Sequence, residues 1–152
     1  MPFVAQAERT LAVPPDVAFD RLANHASWYD WMPDSFRPVG RSKGPLRPGD
    51  SIRVRIAGMP VAARISVSVT KRPDGKDGAA QGEITWTGGL KGLLWAEHRF
   101  LFEPQEGGTR VRSVETWHGA LAPFFQKAIQ KQAEKIGAEQ LAGLARGVTV
   151  PS

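Results

Sequence analysis

A long amphipathic run closes a chain whose middle alternates with period two, and that pairing limits the fold more than any other feature. From about Pro123 to Arg146, apolar residues recur at helical spacing: Phe125, Ile129, Ala133, Ile136, Leu141 and Leu144, then Val148. Lys127, Lys131, Glu134 and Lys135 cover the other side. At ~1.5 Å per residue such a helix is about 35 Å long, enough to lie across a whole sheet. Its apolar stripe needs a partner layer, and a sheet with one apolar face needs a cover. The strands are Phe3–Leu11, Arg37–Ser42, Ser51–Ala57, Ala62–Lys71, Glu83–Thr87, Leu94–Glu103 and Thr109–His118. In the fourth, Ala63, Ile65, Val67 and Val69 alternate with Arg64, Ser66, Ser68 and Thr70. Pro14-Pro15-Asp16 opens a short helix to about Asn24 with Val17, Ala18, Leu22 and Ala23 inward, and His25–Met32 forms a second, stopped by Pro33. Lys43–Gly49 is a turn and Pro73–Gly78 a polar hairpin loop. Consecutive strands on short connections pair antiparallel. The expected fold is α+β: a seven-stranded curved antiparallel sheet, two short helices after the first strand, and one long C-terminal helix over the concave face. A curved sheet gripping a helix encloses a cavity.

The 152 residues suit one domain, residues 1–152. With no cysteine there is no disulfide, thiol nucleophile or cysteine-bound zinc. No apolar run reaches the ~20 residues of a membrane helix, so no integral membrane contact is expected. The first residues lack a basic segment followed by an apolar stretch, which makes the cytoplasm the default location. His25, His98 and His118 are scattered, so neither a metal nor another cofactor is expected. The net charge of +5 is uneven: Arg37, Arg41, Lys43, Arg47, Arg53, Arg55, Arg64, Lys71 and Arg72 are opposed in their stretch only by Asp50. This stretch reads either as a contact surface for an anionic partner or as a solvated outer sheet face. Arg53 and Arg55 alternate with Ile52, Val54 and Ile56 as in a half-buried strand, and the interleaved aromatics of a single-strand binder are missing. Nucleic acid is therefore not an expected partner.

The hairpin Leu94–His118 carries the chemistry. With pairing symmetric about Glu106 and Gly107, Phe102 faces Val111, Phe100 faces Ser113 and His98 faces Glu115. Alternation agrees: His98, Phe100 and Phe102 share one face, as do Val111, Ser113, Glu115 and Trp117, and these are the apolar-rich faces. His98 and Glu115 are thus expected as inward neighbours, Cβ atoms ~5 Å apart. Such a pair serves as a general acid and base, as a polar anchor for a ligand, or as a buried couple that satisfies itself. Trp86 and Trp117 fall on inward faces, and Trp28 and Trp31 share a helix face that closes one end of the cavity. Their alternative role is plain core packing. Trp95 and His118 have outward parity. Gly88–Leu93 is either a mobile lid over the entrance or an ordinary glycine-rich loop.

These features resemble the SRPBCC superfamily, the START-like or birch-pollen-allergen-like helix-grip fold, and most closely its polyketide cyclase/dehydrase branch. The likeness rests on the element order, on Leu11–Phe19, on Ser27–Pro33 and on the last hairpin, Glu97–Pro104 with Gly107–Val111 and Glu115–Gly119. It implies an internal cavity for a lipid, sterol, hormone or polyketide, and in some members cyclase activity; it carries no catalytic signature onto particular residues. The leading expectation is a carrier or sensor of a small hydrophobic molecule, as a monomer or homodimer. Trp28, Trp31, Trp86, Phe100, Phe102, Val111 and Trp117 would form the wall and Phe125, Ile129 and Ile136 the helix side. His98, Ser113 and Glu115 would orient a polar group. The alternatives are a polyketide cyclase/dehydrase-type lyase using His98 and Glu115 as acid and base, and a partner-binding module using the basic outer face.

Overall fold

The computed structural model describes residues 2–73 and 81–148. Most of the hairpin loop expected at Pro73–Gly78 and the side chain of Val148 lie outside the described residues. The chain runs β1 (Phe3–Leu11), α1 (Pro15–Ala23), a single 3-10 turn, α2 (Trp28–Trp31), β2 (Phe36–Val39), β3 (Ser51–Ile56), β4 (Ala63–Lys71), β5 (Gly82–Leu90), β6 (Leu94–Gln105), β7 (Gly108–His118) and α3 (Ala122–Val148). The strands form one antiparallel sheet in the order β1-β7-β6-β5-β4-β3-β2. It is the curved half-barrel that short connections between successive strands dictate, closed on one side because β1 returns to pair with β7.

Four local expectations need correction. β2 begins at Phe36 and stops at Val39, because Phe36 and Pro38 are the inward residues, opposite Ile56 and Val54. β5 continues beyond Thr87, so Gly88 and Gly89 are strand residues paired with Ala96 and Trp95, and only residues 91–93 turn. Gly89 (φ +106°) holds that strand end because a Cβ there would lie 2.6 Å from the Leu94 carbonyl oxygen. No six-residue lid exists at that position. In β4 the register shifts between Val67 and Val69, and Val69 turns outward instead of following Ile65 and Val67. In α1, Val17 is 43% exposed and Phe19 takes the inward position.

The long helix binds both lips of the half-barrel. Gln130 Nε2 donates to the Val4 carbonyl on the edge strand β1, 3.1 Å away, and Gln132 Nε2 donates to the Ala57 carbonyl just past β3. Two glycines let the backbone come close. A Cβ on Gly137 would sit 3.2 Å from Ser113 Oγ, and one on Gly143 would strike the Trp31 carbonyl. Each glycine costs a helix roughly 1 kcal/mol against alanine, so close approach is what they supply in return. The core lies where the C-terminal half of α3 meets α1, α2 and the sheet: Leu22, Trp28, Phe36, Trp86, Phe100, Phe102, Leu141 and Leu144.

Candidate functional site

β6 and β7 pair in the expected register, placing His98 opposite Glu115, Phe100 opposite Ser113 and Phe102 opposite Val111. Trp86 on β5 flanks His98 from the other side. The four polar side chains on this inward face form one continuous chain. Trp117 Nε1 donates to Glu115 Oε1 (2.6 Å), Glu115 Oε2 lies 3.1 Å from His98 Nδ1, and His98 Nε2 lies 2.7 Å from Ser113 Oγ. Gly137 of α3 passes close above Ser113, where a Cβ would come within 3.2 Å of its hydroxyl. The His98 ring is fixed between Phe100 (centroids 4.3 Å apart, stacked) and Trp86 (5.3 Å, edge-on).

Burial sets the protonation of this chain. It pushes the Glu115 carboxyl up to about 7, against the opposing hydrogen bond from Trp117, and holds the His98 imidazole down to about 3. Around neutrality the pair is therefore a neutral imidazole beside a carboxyl that gains or loses a proton. When Glu115 is ionised it accepts from His98 Nδ1–H, and Nε2 accepts from the Ser113 hydroxyl. When Glu115 is protonated it donates to Nδ1, the imidazole proton resides on Nε2, and Ser113 Oγ becomes the acceptor. One proton at Glu115 thus reverses the direction of every bond from Glu115 to Ser113. Histidine bridges a hydroxyl and a carboxylate in the connectivity that serves proton transfer.

The wall expected around this chain is packed more tightly than the sequence reading requires. Trp28, Trp31, Trp86, Phe100, Phe102 and Val111 are each at most 4% exposed and belong to the core cluster. A side chain lining a space wide enough for water retains exposed surface, so these six are filled core and not the lining of an open hollow. Trp28 and Trp31 also have structural partners: their ring nitrogens donate to the Leu22 carbonyl and to Ser27 Oγ, both at 2.8 Å. The part of the concave face still in contact with solvent is at the other end. There Ala96, Glu115 and Trp117 on the sheet and Ile129, Ala133 and Ile136 on α3 are half-buried, and Phe125 is 50% exposed. Trp95 and His118 stack on each other on the convex face, 4.3 Å apart, as their parity requires. Arg53, Arg55 and Arg64 are exposed on that same face.

The sequence matches the model of the family described as polyketide cyclase / dehydrase and lipid transport over residues 2–149. The chain belongs to this family. The SRPBCC resemblance read from its motifs therefore holds for almost the whole chain. No curated protein matches the sequence significantly. Among solved structures, a hypothetical protein from Helicobacter pylori aligns with TM-score 0.72 at 16% identity, covering 95% of this chain and 87% of its own. Protein Ms6760 from Mycobacterium smegmatis aligns with TM-score 0.69 at 16% identity, over 98% and 92%. A norcoclaurine synthase point mutant from Thalictrum, in complex with a transition-state analogue, aligns with TM-score 0.61 at 12% identity, over 97% of both chains. At these identities the likeness establishes the fold.

One polar residue of this SRPBCC domain escaped the sequence reading. Gln140 on α3 is 1% exposed, and neither its amide nitrogen nor its carbonyl oxygen has a hydrogen-bond partner among the described residues. Leaving such groups unpaired costs roughly 1–3 kcal/mol each. Its only sequence signal is a polar side chain between Ile136 and Leu141 on the apolar stripe. Gln6, Ala7, Glu8, Arg110 and Arg112 line a shallow depression on the convex face, and Arg64, Ser66, Thr87, Lys91 and Trp95 line another.

The raised carboxyl makes a testable pH dependence. Between its unfolded value of 4.5 and about 7, native Glu115 keeps a proton that the unfolded chain has lost, so its contribution to stability falls as pH rises through that window. His98 acts oppositely: between about 3 and 6.5 the unfolded chain takes a proton that the native imidazole refuses, so stability rises with pH there. Comparing wild type with Glu115→Gln in urea titrations cancels His98 and all other groups. Relative to the variant, the wild type is expected to lose about 3 kcal/mol from pH 4.5 to 7. A difference that stays constant with pH would show an unperturbed Glu115.

Proposed function

We propose that this domain binds a small hydrophobic molecule of lipid, polyketide or aromatic type between the half-open end of the concave face and the N-terminal half of α3, as a carrier or sensor. The observation that carries this reading is the inward polar chain Ser113–His98–Glu115–Trp117, set in apolar surroundings with its Glu115 end where the concave face meets solvent. A buried chain of this kind is costly to hold in a core with no further use, and it orients a hydroxyl or carbonyl on an otherwise apolar ligand. Phe125, Ile129 and Ile136 supply the helix side. The family description, which joins polyketide cyclase and dehydrase activity with lipid transport, supports the same ligand class.

Native mass spectrometry of freshly purified protein checks this. The expected result is a bound small molecule, or 1:1 saturable binding of a hydrophobic fluorescent probe that a fatty acid displaces. A clean apo mass together with no saturable probe binding would refute it.

A second reading, a cyclase or dehydrase, is favoured by the Glu115–His98–Ser113 connectivity and by a carboxyl that titrates near 7. In an aldol or dehydration step the Glu115 carboxyl, at the solvent end of the chain, would exchange the proton with the substrate, and His98 behind it would switch tautomer to match. Glu115→Gln separates the two. For a carrier, the loss is confined to affinity, about tenfold, the effect of one charge-assisted hydrogen bond. For an enzyme, turnover falls about 10²–10⁴-fold with little change in affinity.

A further inference from the structure

Nine large apolar side chains are exposed among the described residues, and the fold gathers six of them, including the four most exposed, at one end. Leu90 (67% exposed) and Leu93 flank the β5–β6 turn, Met59 and Val61 (65%) lie on the connection between β3 and β4, and Phe124 (80%) and Phe125 open α3. These three elements are tied together. The backbone N–H groups of Ala120 and Leu121 donate to the carbonyls of Gly92 and Leu93, at 3.2 and 2.9 Å, and Gln132 binds the Ala57 carbonyl. Pairing of Ile65 with Gly88 sets the β3–β4 connection beside the β5–β6 turn. The tips therefore surround the same half-open end of the concave face that Glu115 and Trp117 approach.

The charge carried by the tip segments themselves is of one sign. Residues 57–62, 90–93 and 119–133 contain no acidic residue, and they carry Lys91, Lys127 and Lys131. Arg55 and Arg64, exposed at the ends of β3 and β4, border the same connection. Apolar tips on separate projections, ringed by cations, match an anionic bilayer surface, where the tips enter the acyl boundary and the cations meet the headgroups. Self-association is the poorer match: a two-fold contact would place the lysines of one copy against those of the other with no acid between them.

We propose that this end of the molecule docks reversibly on anionic lipid bilayers, opening the concave face toward the membrane. The docking stands on the exposed tips and their charge. Only its purpose, passage of a hydrophobic ligand, rests on the function proposed above.

Flotation of the full chain with vesicles tests this, using phosphatidylcholine alone and phosphatidylcholine mixed with phosphatidylglycerol. The expected result is flotation with the anionic vesicles only, reduced several-fold by raising salt from 0.1 to 0.5 M and at least tenfold by Leu90→Ser/Phe124→Ser. Both substituted side chains are exposed, so circular dichroism of the variant should be unchanged. Absence of flotation with anionic vesicles, or flotation untouched by the double substitution, would overturn the proposal. So would a dimer in light scattering that the same double substitution dissolves, which assigns the patch to a second copy. A protein that floats but carries no ligand in native mass spectrometry keeps the docking and removes the ligand reading; a ligand-loaded protein that does not float does the reverse.

Discussion

Gly143→Val should destabilise the protein by about 3 kcal/mol or more and bring the urea midpoint down accordingly. The reason is a contact with no room to yield. The first atom of any side chain at position 143 strikes the carbonyl of Trp31, and Trp31 Cε3 stands only 3.3 Å away on the same side. The carbonyl belongs to the backbone of α2, so a rotamer change relieves nothing. Either α3 lifts or α2 shifts, and both moves unpack Leu141 and Leu144, which are at most 2% exposed. Valine recovers a few tenths of a kcal/mol of helix propensity relative to glycine, too little to change the sign. Gly137→Ala is the informative comparison. Its new Cβ would meet the Ser113 hydroxyl at 3.2 Å, a side-chain atom that can rotate aside. The helix gain of ~1 kcal/mol then offsets most of the crowding, at the expense of the Ser113–His98 bond. Fluorescence-monitored urea unfolding measures both. A Gly143→Val midpoint within error of wild type would mean that α3 does not sit on α2 as described.

Trp86→Ala is expected to cost about 3–5 kcal/mol, the price of emptying a filled site. Trp86 is 2% exposed and its ring contacts Trp28 (5.3 Å), Phe36 (6.0 Å), Phe100 (5.1 Å) and His98 (5.3 Å). If this ring instead lined an existing hollow, its removal would only enlarge that hollow, and the cost would fall toward the transfer term alone, roughly 1.5–3 kcal/mol. The same substitution releases one face of the His98 imidazole, so the pH dependence assigned to Glu115 should weaken in Trp86→Ala. Unfolding titrations at pH 4.5 and pH 7 measure both effects. A loss below about 2 kcal/mol would restore these aromatics to the role of cavity wall.

Much of the fold was legible because it depends on local order. All seven strands, the two short helices and α3 follow from period-two and helical spacing and from proline at the first turn of α1. The register of β6 on β7 followed as well, since a short turn leaves the pairing little freedom, and that register alone brought His98 to Glu115. Errors fell where periodicity carries no information. The bulge that turns Val69 outward inserts a residue without changing the pattern on either side, and Gly88 and Gly89 resemble a loop because glycine says nothing about whether its backbone is paired.

The site divides along the same line. That an imidazole and a carboxylate face each other on an inward surface was determined by parity within one hairpin. Ser113 came to the same face by the same parity, and its bond to His98 stays within that hairpin. That Gly137 packs beside Ser113, and that Gln140 lies buried without a hydrogen-bond partner among the described residues, required α3 to be seated on the sheet, which joins residues distant in sequence. Whether aromatic residues line a hollow or fill it depends on the volume between layers, and alternation records which face a side chain takes but not how much space lies beyond it. The sequence thus determined directions along each element, and the tertiary structure alone decided distances between elements, on which packing, protonation and the open end of the concave face all depend.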